Sequence, residues 1–494
     1  MQHALLPLLV FISVLSSSVF AQQNRDSQPV KPYQPKGATC VIHNGEGQVV
    51  LVQDYLTRTL SLPGGYIDSD ETFQAAAKRE TYEETGINVD VGEKLDIDDY
   101  RVVFACQPKE SIGYIEPAIE NRFGAEIIPA LNSKHFGKEI RQVYLAPLTP
   151  AVVDKYRYPT DIDALKSWSD TNHISTFHVL DDLTDGASEL HAKQLPLMGS
   201  FQVWVKSMPI IPSLLTFGNG LGEGAFAVGL LVLLLLLLPL RYGLTFAFAL
   251  LATAYSVNLL KMGFAIPRPF YLLPSLQQAQ ASGFSFPSGH TTQAAAVVGL
   301  LLGWITKRGE QHGYISLSTA IVSWFALSLL AGTARVWLGV HYPTDIVVGI
   351  GLGGLIAVIS LKVYQFRYAN QKRLVESKRL VESKRLWLLL LVVYFFGTLQ
   401  LLQPLYVFSW FAALGLFIAL LVRSDRSETL KFNPWQQVIA SIVGVAVIVG
   451  TSLSLVSSAT TSIVLLAVNA LAILIGMFWI LIGAPYLTRR FKRG

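Results

Sequence analysis

Residues 224–261 read GAFAVGLLVLLLLLLPLRYGLTFAFALLATAYSVNLLK, and this stretch decides the fold class of the second half of the chain. Between residue 224 and the terminal Lys261, the only charged side chain is Arg241. A helix needs about 20 consecutive apolar residues to cross the hydrocarbon core of a bilayer. We therefore predict two membrane-spanning helices, at 224–240 and 243–261.

The same apolar character continues to the C-terminus and dominates the composition. Of the 494 residues, 51% are hydrophobic and 15% are charged, and the mean hydropathy is +0.43. These values exclude a purely soluble chain and an intrinsically disordered one. We predict an all-α bundle of about nine membrane helices, at 224–240, 243–261, 290–306, 315–334, 345–362, 386–402, 405–422, 437–457 and 462–484.

The positions of Lys and Arg predict which side of the membrane each loop faces. If residue 224 starts outside, 18 of the 21 Lys and Arg residues after residue 222 fall in inner loops or the inner tail. This agrees with the positive-inside bias and predicts a cytoplasmic C-terminus and a basic cytoplasmic loop at 366–385. Because the membrane accounts for the net charge of +5, we predict no nucleic-acid partner. The last four helices, within 386–494, are predicted to form a membrane extension whose role the sequence does not indicate.

The first half of the chain has a different character. Residues 1–21 contain the apolar run LLPLLVFISVLSSSVFA, which predicts a signal peptide or, since no Lys or Arg precedes the run, an uncleaved anchor. Either one places the following residues outside the cytoplasm. Residues 33–205 mix charged residues with short β-rich runs and predict a soluble domain of helices and strands. Residues 206–223 are predicted to be a linker.

Charged and titratable residues collect at the outer ends of the predicted membrane helices. They comprise the three cations that the charge bias leaves outside, the PSGH segment at 287–290, and a histidine and a carboxylate four residues apart: Lys261, Arg268, Arg335, Ser288, Gly289, His290, His341 and Asp345. Ammonium and guanidinium groups neutralise phosphate oxygens, and the free N–H groups at the start of a helix favour an anion. The pattern predicts a phosphate site at one membrane face.

The two histidines predict the chemistry of this site. Asp345 lies one helical turn after His341, so the carboxylate can hold one imidazole nitrogen while the other nitrogen is aimed at phosphorus. An aimed neutral imidazole is a nucleophile. His290 is then free to protonate the leaving oxygen as a general acid. We expect such a site to need no metal or other cofactor.

These residues resemble the motifs of the type 2 phosphatidic acid phosphatase family over about 224–365. The family pattern KxxxxxxRP, PSGH and SRxxxxxHxxxD appears as KMGFAIPRP at 261–269, PSGH at 287–290 and ARVWLGVHYPTD at 334–345, with Ala334 in place of the usual serine. The resemblance implies a phosphatase core in the first five membrane helices. By residue, it implies a phosphohistidine at His341, orientation by Asp345, acid catalysis by His290, and phosphate binding by Lys261, Arg268, Ser288, Gly289 and Arg335.

A second candidate site lies in the soluble domain, in the segment GGYIDSDETFQAAAKRETYEETGI at 64–87. A helix is predicted between Thr72, a typical N-cap residue, and Gly86, a typical C-cap residue. Glu71 and Arg79 can brace the preceding loop by an ion pair. The segment therefore predicts a helix between these two caps, preceded by a braced loop.

Three carboxylates, those of Glu80, Glu83 and Glu84, share one face of this helix. They repel one another unless a hard cation such as Mg²⁺ or Mn²⁺ neutralises them, and a diphosphate is a usual partner of such ions. The segment resembles the Nudix box, Gx5Ex7REUxEExGU, with Thr81 in place of an aliphatic residue. The matching residues are Gly65, Glu71, Arg79, Glu80, Glu83, Glu84, Gly86 and Ile87. The resemblance implies an α/β/α sandwich, metal binding by the three glutamates and hydrolysis of a diphosphate linkage.

The sequence thus predicts an integral lipid phosphatase of a bacterial inner membrane, with an exported Nudix domain. Its leading substrate by resemblance is undecaprenyl diphosphate, hydrolysed to undecaprenyl phosphate. One alternative is a phosphatidylglycerophosphate or phosphatidic acid phosphatase whose Nudix domain senses a small diphosphate molecule without cutting it. Another is a lipid transporter with an outer phosphate-binding site. Cys40 and Cys106, both in predicted strands of the exported domain, form either a disulfide or two separately buried thiols.

Overall fold

The structure is a computed structural model. It describes residues 35–169, 174–312, 315–369, 377–401, 404–422, 434–457 and 461–490. The predicted signal segment at 1–21 lies outside these residues, so its prediction stays untested.

The N-terminal region is a mixed α/β domain. In chain order its elements are β1 (Gly37–Val41), β2 (Gln48–Asp54), β3 (Leu60–Ser61), β4 (Gly64–Tyr66), α1 (Phe73–Thr85), β5 (Val89–Ile97), β6 (Arg101–Pro108), β7 (Ile112–Tyr114), β8 (Glu126–Ile128), β9 (Ile140–Pro147), α2 (Pro150–Lys155), α3 (Ile162–Ser169) and β10 (Phe177–Val179). One four-stranded sheet has the order β4-β1-β6-β5, and a second has the order β3-β2-β9-β8. Strands β1 and β6 run parallel, whereas the other neighbours in these two sheets are antiparallel.

Strand β2 shows how the strands lie between two helical layers. Val50 and Val52 belong to a buried cluster that contains Ala76 and Ala77 of α1. The intervening residues Val49 and Leu51 belong to a second cluster that contains Leu165 and Trp168 of α3. Because successive side chains of a strand point to opposite faces, one face of β2 belongs to the core that includes α1 and the other to the core that includes α3. This confirms the predicted α/β/α sandwich.

Local sequence fixes both ends of α1 where they were predicted. The hydroxyl of Thr72 accepts a hydrogen bond from the backbone N–H of Ala75 at 3.2 Å. At the other end Gly86 has a φ of 77°, and its N–H donates to the carbonyl of Tyr82 at 2.8 Å. Glycine adopts this left-handed conformation without steric cost. The helix that carries the candidate metal ligands is therefore held by its own caps.

The two cysteines form a disulfide in the structure. Cys40 of β1 and Cys106 of β6 lie on neighbouring parallel strands, with their Cα atoms 5.4 Å apart. Both residues are fully buried beneath α1. Of the two alternatives that the sequence leaves open, the structure adopts the covalent one.

The C-terminal region is all-helical apart from a short hairpin. Its elements are α4 (Glu189–Lys206), α5 (Ile211–Leu221), α6 (Gly224–Leu237), α7 (Leu240–Phe264), α8 (Pro269–Leu272), α9 (Gly289–His312), α10 (Leu317–Trp337), α11 (Pro343–Gln365), β11 (Arg367–Ala369), β12 (Ser377–Arg379), α12 (Lys384–Leu401), α13 (Pro404–Val422), α14 (Pro434–Ser457), α15 (Ser462–Phe478) and α16 (Ala484–Arg490). All nine predicted apolar stretches coincide with helices.

Six helical stretches within the described residues are long and apolar enough to cross a membrane. A seventh is added if α5 and α6, which meet at an angle of 52°, together form one broken span. The fold is therefore a mixed α/β domain followed by an all-helical membrane region, and the number of nine crossings stays a prediction.

Helix α4 belongs to the membrane region by its contacts, although the sequence assigns it to the soluble domain. Its residues Leu195 and Met198 pack in a buried cluster with Leu272, Tyr342 and Ile346. The region predicted as a linker, 206–223, contains helix α5. Polar residues of α4 give it the composition of a soluble helix, yet Gln194 and Gln202 are buried and hydrogen-bond to the membrane region.

Two glycines of α11 bring this helix close to α9. A Cβ atom at Gly353 would lie 2.4 Å from the carbonyl oxygen of Thr292, and one at Gly349 would lie 3.1 Å from that of Ser288. The small residues of α11 therefore allow the two helices to pack closely. It places the beginnings of α9 and α11, which carry PSGH and Asp345, side by side.

The C-terminal extension packs against the preceding membrane helices through α7. The hydroxyl of Tyr406 donates to the carbonyl of Tyr255 at 3.2 Å, and that of Tyr394 donates to the carbonyl of Leu251. A Cβ atom at Gly397 would lie 2.8 Å from the ring of Tyr255. Helices α12 and α13 therefore support the helix that ends near Lys261.

Candidate functional sites

The predicted nucleophile lies in the turn between α10 and α11. His341 is 2% exposed and Asp345 is fully buried. The Nδ1 atom of His341 lies 3.2 Å from the Oδ2 atom of Asp345, which also accepts the backbone N–H of Tyr342 at 2.9 Å. When Nδ1 carries the proton, Nε2 keeps its lone pair. The carboxylate therefore orients the imidazole as predicted from the spacing of the two residues.

Burial, and next to it the positive charge of Arg268, holds the pKa of His341 well below its usual range. The charged imidazolium loses hydration in a buried site and is repelled by neighbouring cations. The imidazole is therefore neutral at neutral pH, which is the form that a nucleophilic histidine requires.

The turn before His341 is pinned by helix α4. Gly339 has a φ of 71°, and a Cβ atom there would lie 1.8 Å from the carbonyl oxygen of Leu276. The side-chain amide of Gln202 donates to the carbonyls of Leu276 and Trp337, both at 2.8 Å. Only glycine fits this approach, so the turn has one well-defined path.

Arg268 connects two of the three motif segments. Its Nη1 atom donates to the carbonyl of Val340 at 2.9 Å and lies 3.3 Å from Nε2 of His341. Its Nη2 and Nε atoms donate to the carbonyl of Ser282 at 2.9 and 3.1 Å. The guanidinium thus borders the nitrogen that would carry phosphorus, where it can neutralise phosphate oxygens.

Lys261 and Arg335 approach from opposite helices. The ammonium group of Lys261 donates to the carbonyls of Phe284 and Ser285, the latter at 3.1 Å. Arg335 is 8% exposed and donates from Nη1 to the side chain of Asn219 at 2.8 Å. Its buried Nε atom has no hydrogen-bond partner among the described residues. An unpaired buried donor is costly, and a phosphate oxygen would satisfy it.

The PSGH segment supplies the start of α9. The hydroxyl of Ser288 accepts hydrogen bonds from Thr291, at 2.8 Å from its hydroxyl and 3.4 Å from its N–H. Ser288 is fully buried, and its hydroxyl caps the start of α9 by accepting the N–H of Thr291. Gly289 and His290 follow at the surface of a cavity. The Nε2 atom of His290 lies 3.4 Å from the carboxylate of Glu223.

These residues border a cavity of about 350 Å³. Its wall includes four of the predicted site residues: Lys261, Arg268, Gly289 and His290. His341 lies just beneath this wall, in contact with Arg268. The first two motif segments thus line the cavity, and the third joins them through the contact of His341 with Arg268.

Sequence analysis missed Asn219 and Glu223. Their side chains are joined by a hydrogen bond of 2.8 Å from the amide to the carboxylate. Asn219 also accepts from Arg335, and Glu223 lies beside His290. The pair therefore links Arg335, a predicted phosphate-binding residue, to the predicted acid His290. Two polar residues four positions apart at the edge of an apolar stretch were the available signal.

In the soluble domain, Arg79 organises the Nudix segment. Its Nε and Nη2 atoms donate to the two carboxylate oxygens of Glu71 at 3.0 and 2.9 Å, which confirms the predicted brace. Its Nη1 atom lies 2.7 Å from Glu80 and 3.3 Å from Glu83. The hydrogen bond from Arg79 lowers the pKa of Glu71. A Cβ atom at Gly65 would lie 2.5 Å from the carboxyl carbon of Glu80, so a larger residue there would displace this carboxylate.

The candidate metal ligands differ from the predicted set in one member. Ligand atoms of Glu80, Glu83 and His135 all lie within 4.8 Å of one another. Glu84 is 8% exposed, accepts the N–H of Gly64 at 2.9 Å and lies outside this group. Burial raises the pKa of Glu84 well above its usual range. The carboxylate of Glu84 is turned inward by packing, which helical spacing alone does not show.

The donor set fits a divalent cation. Two carboxylates and one imidazole are hard or intermediate ligands that suit Mn²⁺ and, through the carboxylates, Mg²⁺. In the structure the positive charges of Arg79 and Lys134 pair with Glu83. His135 lies in a turn far along the chain from Glu80 and Glu83, so no local motif predicts it as a metal ligand.

Both regions are similar to known families. Residues 34–136 match the family model of the NUDIX domain, and residues 242–369 match that of the PAP2 superfamily. The chain is 38% identical over 77 residues to phosphatidylglycerophosphatase B of Bacillus subtilis strain 168, covering 15% of this chain and 36% of that protein. It is 32% identical over 113 residues to undecaprenyl-diphosphatase BcrC of the same strain, covering 22% and 47%.

Among solved structures, the chain is similar to the crystal structure of the first transmembrane PAP2 type phosphatidylglycerolphosphate phosphatase from Bacillus subtilis. The identity is 22%, the TM-score is 0.31, and the match covers 36% of this chain and 89% of that one. The chain spans less than half the length of the two curated relatives named above. Two regions of the chain thus match families of phosphoric ester and anhydride hydrolases, the NUDIX domain at 34–136 and the PAP2 superfamily at 242–369.

Proposed function

We propose that the protein is a membrane lipid phosphatase that works through a phosphohistidine at His341. The observation that carries the proposal is the contact of Nε2 of His341 with Arg268, while Asp345 holds Nδ1. A nucleophilic nitrogen and a guanidinium that binds phosphate oxygens are thereby adjacent. This is the arrangement that transfer of a phosphoryl group requires.

The reaction has two steps. In the first, Nε2 of His341 forms a bond to phosphorus, the bond from phosphorus to the leaving lipid oxygen breaks, and His290 gives that oxygen a proton. In the second, water attacks phosphorus, its proton passes to His290, and inorganic phosphate leaves His341. Arg268, Arg335 and Lys261 neutralise the phosphate oxygens in both steps.

Undecaprenyl diphosphate is the leading substrate, and undecaprenyl phosphate is the expected product. Similarity to an undecaprenyl-diphosphatase supports this choice. Similarity to phosphatidylglycerophosphatase B supports the second candidate, a phosphatidylglycerophosphate or phosphatidic acid phosphatase. A lipid transporter with a phosphate-binding site is the third candidate. It would bind the same lipids without releasing phosphate.

The Nudix domain is proposed to hydrolyse a diphosphate linkage, with Mg²⁺ or Mn²⁺ held by Glu80, Glu83 and His135. The sequence also nominates Glu84 as a ligand. When bound, the cation neutralises the diphosphate and activates water. Arg79 keeps Glu80 and Glu83 in position by its hydrogen bonds. A domain that only senses a diphosphate would bind its ligand with the same residues.

We place the Nudix domain and the phosphatase site on the outer side of a bacterial inner membrane, with the C-terminus in the cytoplasm. The disulfide between Cys40 and Cys106 supports this placement, since disulfides persist in oxidising compartments. The distribution of Lys and Arg supports it independently.

A lipid panel tests these assignments. Purified protein is assayed for phosphate release from undecaprenyl diphosphate, phosphatidylglycerophosphate and phosphatidic acid, in EDTA and in Mg²⁺. Release in EDTA that is lost in His341→Ala supports the membrane site. Release that needs Mg²⁺ and is lost in Glu83→Gln supports hydrolysis by the Nudix domain. Binding of a lipid without release from any of them contradicts the phosphatase assignment and favours the transporter.

A further inference from the structure

The Nudix domain contributes part of the phosphatase pocket. Tyr55, which directly follows β2, and Gly137, which precedes β9, line the same cavity as Lys261 and His290. The backbone N–H of Tyr55 donates to the carbonyl of Glu139 at 2.7 Å, which joins the two turns. The cavity is therefore lined by residues of both domains, and we call the side formed by Tyr55 and Gly137 its roof.

The roof rests on the loop that holds the phosphate-binding cations. Phe136 is 2% exposed, and its ring centroid lies 5.8 Å from that of Tyr271 and 5.9 Å from that of Phe284. A Cβ atom at Gly137 would lie 3.0 Å from the ring of Phe284. The carbonyl of Phe284 accepts from Lys261. Close packing of this kind fixes the distance between the roof residues and the cationic side chains of the pocket.

The C-terminal extension anchors the turn that bears Tyr55. One carboxylate oxygen of Asp54 accepts the N–H groups of Leu56 and Thr57 at 2.8 and 2.7 Å. The other accepts the hydroxyl of Ser462, the first residue of α15, at 2.9 Å. The turn is thus held by its own hydrogen bonds and by the membrane region. The half-buried ring of Tyr55 has a defined place at the pocket.

We propose that Tyr55 determines the headgroup specificity of the phosphatase site. It would select lipids in which at most one small anionic group, such as a second phosphate, separates the transferred phosphate from the tail. This inference rests on the proposed phosphatase function. The volume of about 350 Å³ is near the lower end of the roughly 300–1,000 Å³ of ligand pockets. Larger headgroups, such as glycerophosphate, meet the tyrosine ring.

The tyrosine hydroxyl gives the second part of the specificity. A phenol donates a hydrogen bond to an anionic oxygen, and the bridging phosphate of a lipid diphosphate offers such oxygens. A phosphomonoester such as phosphatidic acid has no second phosphate in this position. The hydroxyl should therefore favour diphosphates, while the ring excludes bulk.

The test compares kcat/KM for phosphatidic acid, undecaprenyl diphosphate and phosphatidylglycerophosphate in the full-length protein in detergent. In Tyr55→Ala, the ratio of phosphatidylglycerophosphate to phosphatidic acid should rise at least tenfold. In Tyr55→Phe, kcat/KM for the diphosphate should fall about three- to tenfold while that for phosphatidic acid stays constant. Ser462→Ala should shift the ratio in the same direction as Tyr55→Ala, but by less. Tyr100→Ala, an exposed tyrosine of the same domain, is the matched control and should leave the ratio constant.

Two outcomes overturn the inference in distinguishable ways. If wild type releases phosphate and Tyr55→Ala keeps the wild-type ratio within twofold, Tyr55 does not select the headgroup and the phosphatase function stands. If wild type releases no phosphate from any of the three lipids, the proposed function fails and the specificity inference fails with it. Unchanged thermal unfolding of Tyr55→Phe separates a change in recognition from a loss of folding.

Discussion

Replacing Asp345 with asparagine keeps a hydrogen bond that can orient His341 but removes the negative charge of the carboxylate. The amide has nearly the same shape as the carboxylate, and its oxygen can still accept from Tyr342 and from His341. What disappears is a negative charge beside a ring that becomes positive when it binds phosphorus. At about 4 Å and an effective dielectric constant of about 20, that attraction is worth about 4 kcal/mol. Converted at about 1.4 kcal/mol per factor of ten, the expected loss in kcat is about 10³-fold.

The assay measures kcat and KM for phosphate release in EDTA, together with thermal unfolding. KM should change little because Asp345 contacts the histidine rather than the phosphate. Asp163→Asn, which changes a highly exposed carboxylate of α3, is the control and should keep wild-type kinetics. A loss in kcat below about tenfold, with the fold intact, would refute the role given to Asp345.

Three further predictions follow from the described contacts. Because burial lowers the pKa of His341, the neutral nucleophile persists below the ordinary histidine pKa near 6.5. The acid limb of the pH profile of kcat/KM, corrected for titration of the substrate, should therefore lie below pH 6.5. An acid limb of the enzyme above pH 7 would contradict this prediction. For the Nudix site, Mn²⁺ affinity measured by calorimetry should fall at least tenfold in Glu83→Gln but less than threefold in Glu84→Gln, and equal losses would show that Glu84 is also a ligand. Gly353→Leu should lower the free energy of unfolding by about 1–3 kcal/mol, since a Cβ atom there would already lie 2.4 Å from the backbone of α9. Gly351→Leu is the matched control, because a Cβ atom there meets nothing within 4 Å. Equal melting temperatures for the two variants would disprove the close helix contact.

Features that depend on local sequence were predictable. The ends of α1 follow from Thr72 and Gly86, whose capping hydrogen bonds involve residues at most four positions away. The apolar stretches predict the membrane helices because a continuous apolar run has few other stable environments. The pairing of Asp345 with His341 follows from helical spacing.

Features that depend on long-range packing were not predictable in the same way. His135 joins Glu80 and Glu83 from a turn about fifty residues further along the chain. Glu84 shares their helix, yet its carboxylate turns toward Gly64 because that side of α1 is covered by the sheet. Such choices are set by which neighbours cover each face of a helix, and a single sequence does not contain that information explicitly.

The motifs also do not predict the contact between the two domains. Each motif describes chemistry within one domain, whereas Phe136 packs on Tyr271 and Phe284 of the membrane region and Tyr55 lines the pocket there. Hydrophobic residues in turns are usually unremarkable in a sequence. The role of these residues becomes clear only when the surface of the membrane region that they contact is known.

Trapping of the covalent intermediate tests the central claim most directly. Wild-type protein is mixed with a ³²P-labelled lipid phosphate, quenched in alkali and digested for mass spectrometry. The account predicts an acid-labile, alkali-stable phosphoryl group on the peptide that contains His341, absent in His341→Ala. A label on a different residue, or phosphate release without any labelled protein under conditions that preserve phosphohistidine, would contradict it.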